Sequence, residues 1–138
     1  MPRPDVIHNA VKNALIRDGW TITDDPLTIR RGRLRLYADL AAEHPFAAER
    51  DGRRIVVEVK SFAGKSFIKE LEGTLGQYFI YLAYLEQIDP ARRIYLAISE
   101  AVDKRFFLRE EIRLVMDRFQ VALIAVNLES EVITQWTN

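Results

Sequence analysis

Apolar side chains recur at helical spacing at the start of the chain. Asp5 is followed by Val6, Ile7, Ala10, Val11, Ala14 and Leu15, and Gly19 stands where a left-handed C-terminal cap belongs. This predicts a helix from about Asp5 to Asp18. The pattern then changes to that of strands: Trp20 to Thr23 and Leu27 to Leu40 are rich in β-branched and aromatic residues, with turn signals at Asp25-Pro26 and Gly32. Leu34, Leu36, Ala38 and Leu40 alternate with Arg35, Tyr37 and Asp39, so the two-residue period places Asp39 on the polar face beside an arginine and a tyrosine.

Asp51-Gly52, a dipeptide suited to the positive φ angles of a hairpin, separates Phe46 to Arg50 from Arg54 to Lys60. The second arm, IVVEVK, puts Glu58 and Lys60 on one face and Val57 and Val59 on the other. From Lys65 to Ile88, apolar residues at Ile68, Leu71, Leu75, Phe79, Leu82 and Leu85 predict one long amphipathic helix covering the sheet's other face. Gly73 and Gly76 in it suggest close backbone approach, and Gln77 and Tyr81 share one face. Beyond Pro90 the pattern predicts a strand at Ile94 to Ser99, then a helix with core stripe Leu108, Ile112, Val115, Met116 and Phe119. A strand at Val121 to Asn127 and a short one near Val132 to Trp136 follow.

The order α-β-β-β-α-β-α-β, closed by the short strand, predicts an α/β fold with a mixed central sheet flanked by helices. A strand, a helix and another strand in succession favour a parallel crossover. No repeat, linker or low-complexity tract divides residues 1–138, so a single domain is expected.

Composition narrows the choice of function. The chain has 138 residues, 49% of them hydrophobic, which suffices for one core without disulfides or structural metal. It contains no cysteine, which excludes thiolate metal sites and cysteine nucleophiles and fits a reducing cytoplasm. No apolar run approaches the roughly 20 residues of a membrane span, so a soluble, unexported, cytoplasmic protein is expected. Lys plus Arg, 20, equals Asp plus Glu, 20, and this balance counts against autonomous tight DNA binding. Arg30, Arg31, Arg33 and Arg35, with Arg53 and Arg54, form local clusters that read either as a basic rim around an acidic site or as a solvated hairpin face.

The polar strand faces carry the candidate chemistry. Phosphodiester hydrolysis uses a hard cation, for which carboxylates are the proper ligands, and Asp39 and Glu58 could supply two. Lys60, two residues from Glu58 on the same face, could orient a nucleophilic water or stabilise charge on a phosphate oxygen. Glu-Val-Lys alone also describes a solvent-facing ion pair. Its context favours chemistry, because a central strand seldom places Glu and Lys side by side without partners. Glu110 and Glu111 among Arg105, Arg109 and Arg113 read as a solvated helix face. No serine elbow, glycine-rich phosphate loop or His-rich metal motif is present, which disfavours hydrolases and nucleotide-binding enzymes of those kinds.

The run VEVKSF, with LYADL upstream and LGQYFIYLAYLEQ downstream, resembles the XisH family of the PD-(D/E)XK nuclease superfamily. The likeness extends over the opening DVIHNAVKNALIRDGWTITDDPLTI and the ending VITQW. It implies a restriction-endonuclease-like fold, with Asp39 as the motif aspartate, Glu58 as the second acidic ligand and Lys60 as the catalytic lysine. Gln77 and Tyr81 are similar to the Gln-x-x-x-Tyr helix motif of RecB-like members, which helps shape the active site. The resemblance further implies magnesium, with manganese as a substitute, DNA as substrate, and a role in excision of the fdxN element of heterocyst-forming cyanobacteria, commonly beside a small XisI partner.

Two functions follow: a magnesium-dependent DNA endonuclease, or a non-cutting accessory protein that binds an XisI-like partner and regulates recombination. The high apolar content suits partner or homo-oligomer surfaces in the second. One departure from the superfamily is that the first helix offers Asp5, His8 and Asn9 where many members place a glutamate. His8 is left either to hydrogen-bond into the site or to cap and pack.

Overall fold

A computed structural model describes residues 4–27, 29–31, 34–36 and 46–137 of the chain. Helix α1 spans Pro4–Arg17 and buries Ile7, Val11, Ala14 and Leu15. It stops at Gly19, whose φ of 95° only glycine adopts without strain, with the Trp20 amide closing onto the Leu15 carbonyl at 3.0 Å. Then come β1 (Thr21–Asp24), β2 (Ile29–Arg31), β3 (Leu34–Leu36), β4 (Phe46–Arg50) and β5 (Arg53–Val59). The crossover helix α2 (Phe67–Ile88) leads to β6 (Arg93–Ser99). Helix α3 (Glu100–Val102) runs into a π-helical turn at Asp103–Phe107, followed by α4 (Glu110–Arg118), β7 (Leu123–Asn127) and β8 (Val132–Thr137).

Six strands form one sheet in the order β1-β4-β5-β6-β7-β8. β5, β6 and β7 run parallel, and the flanking pairs are antiparallel. The β4–β5 hairpin turns on Asp51 and Gly52 at φ 51° and 79°, the two positive angles that the sequence signals. Within the segment Leu27 to Leu40, where strands joined by a turn are expected, β2 pairs with β3 as a separate two-stranded hairpin, and residues 37–40 lie outside the described residues. Asp39 lies outside the described residues.

The sheet has a core on each face. Val57, Val59, Tyr95, Ala97, Ile124 and Val126 pack with α1, where Trp20 stacks on Trp136 at 5.8 Å. Val56, Leu96, Ile98 and Leu123 pack with α2, the π-helical turn and α4. Glu58 and Lys60 share the parity of Val56, so α2 covers their own face of the sheet, not the opposite one as the sequence pattern suggests.

The inward stripe of α2 also differs from expectation. Its buried residues are Leu71, Thr74, Tyr78, Tyr81 and Leu85, whereas Ile68 is exposed and Leu75, Phe79 and Leu82 are partly buried. Tyrosine can be buried here because its polar atom is satisfied: the Tyr78 hydroxyl donates to the Ile94 carbonyl (3.2 Å) and accepts from the Ala122 amide (3.1 Å). Gly73 and Gly76 are exposed, and a Cβ on either would meet nothing within 4 Å, so close backbone approach is not their role.

The expected core stripe of the later helix is broken by the π-helical turn. Phe107 is fully buried against Phe62 and Phe67, while its neighbour Leu108 is 60% exposed. Ile112 and Met116 are buried as expected, but Phe119 lies past the end of α4 and is 55% exposed. The chain leaves the helical path after the π-helical turn, with Arg109 extended (φ −67°, ψ 141°) at the start of α4, so Leu108 falls between two helices and the single period inferred from the sequence breaks there.

Candidate functional site

β5 is a central strand, bonded to β4 on one side and β6 on the other, and Glu58 sits in it opposite Leu96. Only 1% of Glu58 is exposed. A carboxylate so far from water must be neutralised or compensated by positive charge. Lys60, just beyond the strand, is half-buried, and its amide still bonds the Ala97 carbonyl at 3.0 Å, so its backbone is held in the sheet.

Opposite these residues α2 presents a polar stripe. Glu70, Thr74, Gln77 and Tyr81 fall at i, i+4, i+7 and i+11, which is one face of a helix. Ser66 starts the helix by accepting the Lys69 amide on its hydroxyl at 3.3 Å. Because α2 runs back along β5, Tyr81 lies at the Glu58 end, while Glu70, Thr74 and Gln77 share an open cleft of about 280 Å³ with Lys60 and Phe62.

Gln77 and Tyr81 are therefore on the same side of the sheet as Glu58 and Lys60. The Gln77 side-chain amide donates to the Tyr81 hydroxyl at 3.2 Å. Burial, reinforced by the nearby Glu58 charge and only partly opposed by the Gln77 hydrogen bond, pushes the Tyr81 hydroxyl up to about 12. Tyr81 thus keeps its proton throughout the neutral range.

Glu70 and Thr74 are the members that the sequence reading passes over. Thr74 is 4% exposed, and Glu70 accepts the Gly64 amide on Oε1 at 3.1 Å. Its Oε2 is buried and has no hydrogen-bond partner among the described residues. The polar i, i+4, i+7, i+11 spacing is the signal that could have found them, but the apolar stripe beside it is longer.

His8 faces the other side. Its Nε2 pairs with Asp25 Oδ1 at 2.9 Å and its ring meets Phe46 edge-on at 5.3 Å, both on the α1 side of the sheet. Lys12 reaches Asp25 Oδ2 at 2.5 Å. Burial raises the Asp25 carboxyl, but the Lys12 hydrogen bond and the charge of His8 outweigh it and hold the group below the usual range. His8 therefore ties α1 to the segment after β1.

Of the arginine clusters, the side chains of Arg30, Arg31, Arg33 and Arg35 lie outside the described residues, and those of Arg53 and Arg54 are placed. Arg54 makes a two-pronged ion pair with Asp89 at the end of α2 (2.5 and 2.8 Å), and Arg53 lies over Trp20 at 5.7 Å. Both begin β5, about 20 Å along the strand from Lys60 at 3.3 Å per residue. Nearer the cleft, Phe62 contacts Phe67, which stacks on Phe106 at 4.1 Å. The exposed guanidinium groups of Arg105 and Arg109 lie over Phe106 at 5.0 and 5.3 Å. Among the described residues no three carboxylate or imidazole groups surround one point, and no helix is long and apolar enough to cross a membrane.

The mixed six-stranded sheet with helices on both faces is consistent with a restriction-endonuclease-like α/β fold. The profile described as "XisH protein" matches residues 1–134. The chain belongs to the XisH family. It is similar to the crystal structure of an XisH family protein from Nostoc punctiforme, with 41% identity and a TM-score of 0.88 over 97% of this chain and 100% of that one. It is equally similar to a fdxN element excision controlling factor protein from Anabaena variabilis, at 42% identity and a TM-score of 0.88 over 97% of this chain and 99% of the other. Comparison with curated proteins gives no match.

Proposed function

We propose that this XisH-family chain is a magnesium-dependent, endonuclease-like protein that acts on DNA during excision or rearrangement of an element of the fdxN kind. The observation that carries this reading is the buried carboxylate of Glu58 on a central strand, with Lys60 two residues on and a polar helix face laid over both. Hydrophobic side chains would fill this space more cheaply, and a polar lining this far inside is characteristic of sites where charge is handled.

The donors suit a hard cation: they are carboxylate, hydroxyl and amide oxygens, with no thiol in the chain. Glu58, with Asp39 assigned by the family resemblance, would hold magnesium. When bound, the ion offsets phosphate charge and lowers the pKa of a water molecule. Lys60 donates to the attacking water or to a phosphate oxygen, stabilising the negative charge that grows there. Gln77 holds the Tyr81 hydroxyl, and Tyr81, kept protonated, presents a neutral donor beside Glu58. Phe62 walls one side of the cleft, and Arg105 and Arg109 supply cations for a phosphate backbone beyond it.

The test is plasmid nicking with magnesium or manganese, with and without an XisI-like partner. Lys60→Met keeps an unbranched chain of similar length, so it should leave thermal stability nearly unchanged while lowering nicking at least about a hundredfold, or roughly 3 kcal/mol of barrier. Equal nicking by both proteins would remove Lys60 from the mechanism.

A second reading is a non-cutting accessory protein. Leu108, Leu114 and Phe119 expose large apolar surface around α4, which suits a protein partner or a second copy of the chain. On that reading no metal-dependent nicking appears, and Lys60→Met leaves partner binding unchanged.

A further inference from the structure

We propose that the pocket at the carboxyl ends of β5, β6 and β7 receives one unpaired pyrimidine base of a nucleic acid strand whose backbone passes Lys60. The proposal rests on the phosphodiester reading above and deepens it, because it names a strand with an unpaired nucleotide, not intact duplex, as the preferred substrate.

The pocket holds about 150 Å³, and its walls are largely apolar. A cavity of that size lined by apolar side chains accepts one benzene-sized ring. Phe62 and Ala63 after β5, Ser99 at the end of β6 and Leu128 after β7 line it, at the end of a parallel sheet where α/β folds receive ligands. Ser99 gives the interior a polar point. Its hydroxyl accepts the Val102 amide at 3.1 Å and keeps a proton to donate to the edge of a base.

Phe62 ties this pocket to the cleft, since its side chain lines both. Its backbone stands at φ 51°, in the left-handed region that a bulky residue enters only at a cost, and the residue is 4% exposed. Lys60 and Ala63 are at most about 10 Å apart along the chain, within the reach of neighbouring nucleotides of one strand. Arg105, exposed at the rim with its guanidinium over Phe106 at 5.0 Å, sets a cation where a phosphate of that strand would lie. An aromatic side chain from a partner protein matches the pocket in size but brings no charge to meet Arg105.

The probes are a fluorescein-labelled oligothymidylate, a strand of equal length made of abasic sites, and an intact duplex. Each is titrated into the full-length protein by fluorescence anisotropy with EDTA present, so that no strand is cut. The wild type should bind oligothymidylate about 10-fold tighter than the abasic strand, the effect expected of one stacked base. Ala63→Leu puts a branched chain into the pocket from an exposed position, so it should abolish that preference while leaving thermal unfolding and duplex binding unchanged. Arg105→Gln should weaken both single strands by a similar factor and flatten their salt dependence. The proposal is overturned if the wild type binds the thymidine and abasic strands alike, as a pocket meant for a partner's side chain would, or if Ala63→Leu keeps the full preference. Pocket-dependent binding by a protein that nicks no plasmid would overturn the endonuclease reading and leave the base pocket in place. Plasmid nicking by a wild type with no preference for the thymidine strand would overturn the pocket alone.

Discussion

Tyr81 shows how the fold alters the chemistry of a single side chain. In the unfolded chain its hydroxyl ionises near 10, and in the folded protein, buried beside Glu58, near 12. The folded state therefore holds its proton more tightly, and the stability tied to that proton is complete below pH 10 and is lost as pH rises towards 12. Tyr81→Phe has no proton to lose. The difference in melting temperature between wild type and Tyr81→Phe, followed from pH 8 to pH 12, should drift steadily against the wild type above pH 10. A difference that stays constant would show that the hydroxyl ionises as it does in the unfolded chain. Of the candidate site, period two sets Glu58 and Lys60 on one strand face and i,i+4 spacing sets Gln77 and Tyr81 on one helix face, but it is the family resemblance that singles out the last two. Glu70 and Thr74 continue the same helix face, but the longer apolar stripe beside it masks them, and the contact that fixes Glu70 on the Gly64 amide exists only in the folded loop.

At the scale of elements, β5 and its turn are legible because Asp51-Gly52 and the alternation after it act locally. The π-helical turn after α3 is not, since no residue type announces it. This gives a direct contrast between neighbours. Phe107→Ala should destabilise the protein by about 3 to 5 kcal/mol, the usual loss for a buried aromatic, whereas Leu108→Ala should lie within about 0.5 kcal/mol of the wild type. Urea midpoints of the two variants decide it, and a large loss at Leu108 would restore the uninterrupted helix read from the sequence. The face that α2 covers was likewise hidden: parity groups Glu58 with Lys60, but only the crossover determines which side of the sheet the helix lands on.

Across the whole molecule, positive and negative side chains balance, so no net field draws a polyanion in from a distance. Among the described residues, the guanidinium groups that begin β5 are engaged away from the cleft, Arg54 with Asp89 and Arg53 over Trp20. Metal-free protein should therefore bind duplex DNA no more tightly than about 10⁻⁶ M at physiological salt, the strong end of non-specific binding. Fluorescence anisotropy measures this, and nanomolar affinity would show that the local basic surface outweighs the overall balance. The stacked pair Trp20 and Trp136 has a practical consequence here. They are the chain's two indoles, and both sit on the α1 side, joining the end of the first helix to the last strand. Intrinsic fluorescence, and any exciton couplet in the far-ultraviolet dichroism, will therefore report the docking of β8 against the N-terminal region, while events in the cleft beneath α2 pass on the far side of the sheet from both fluorophores.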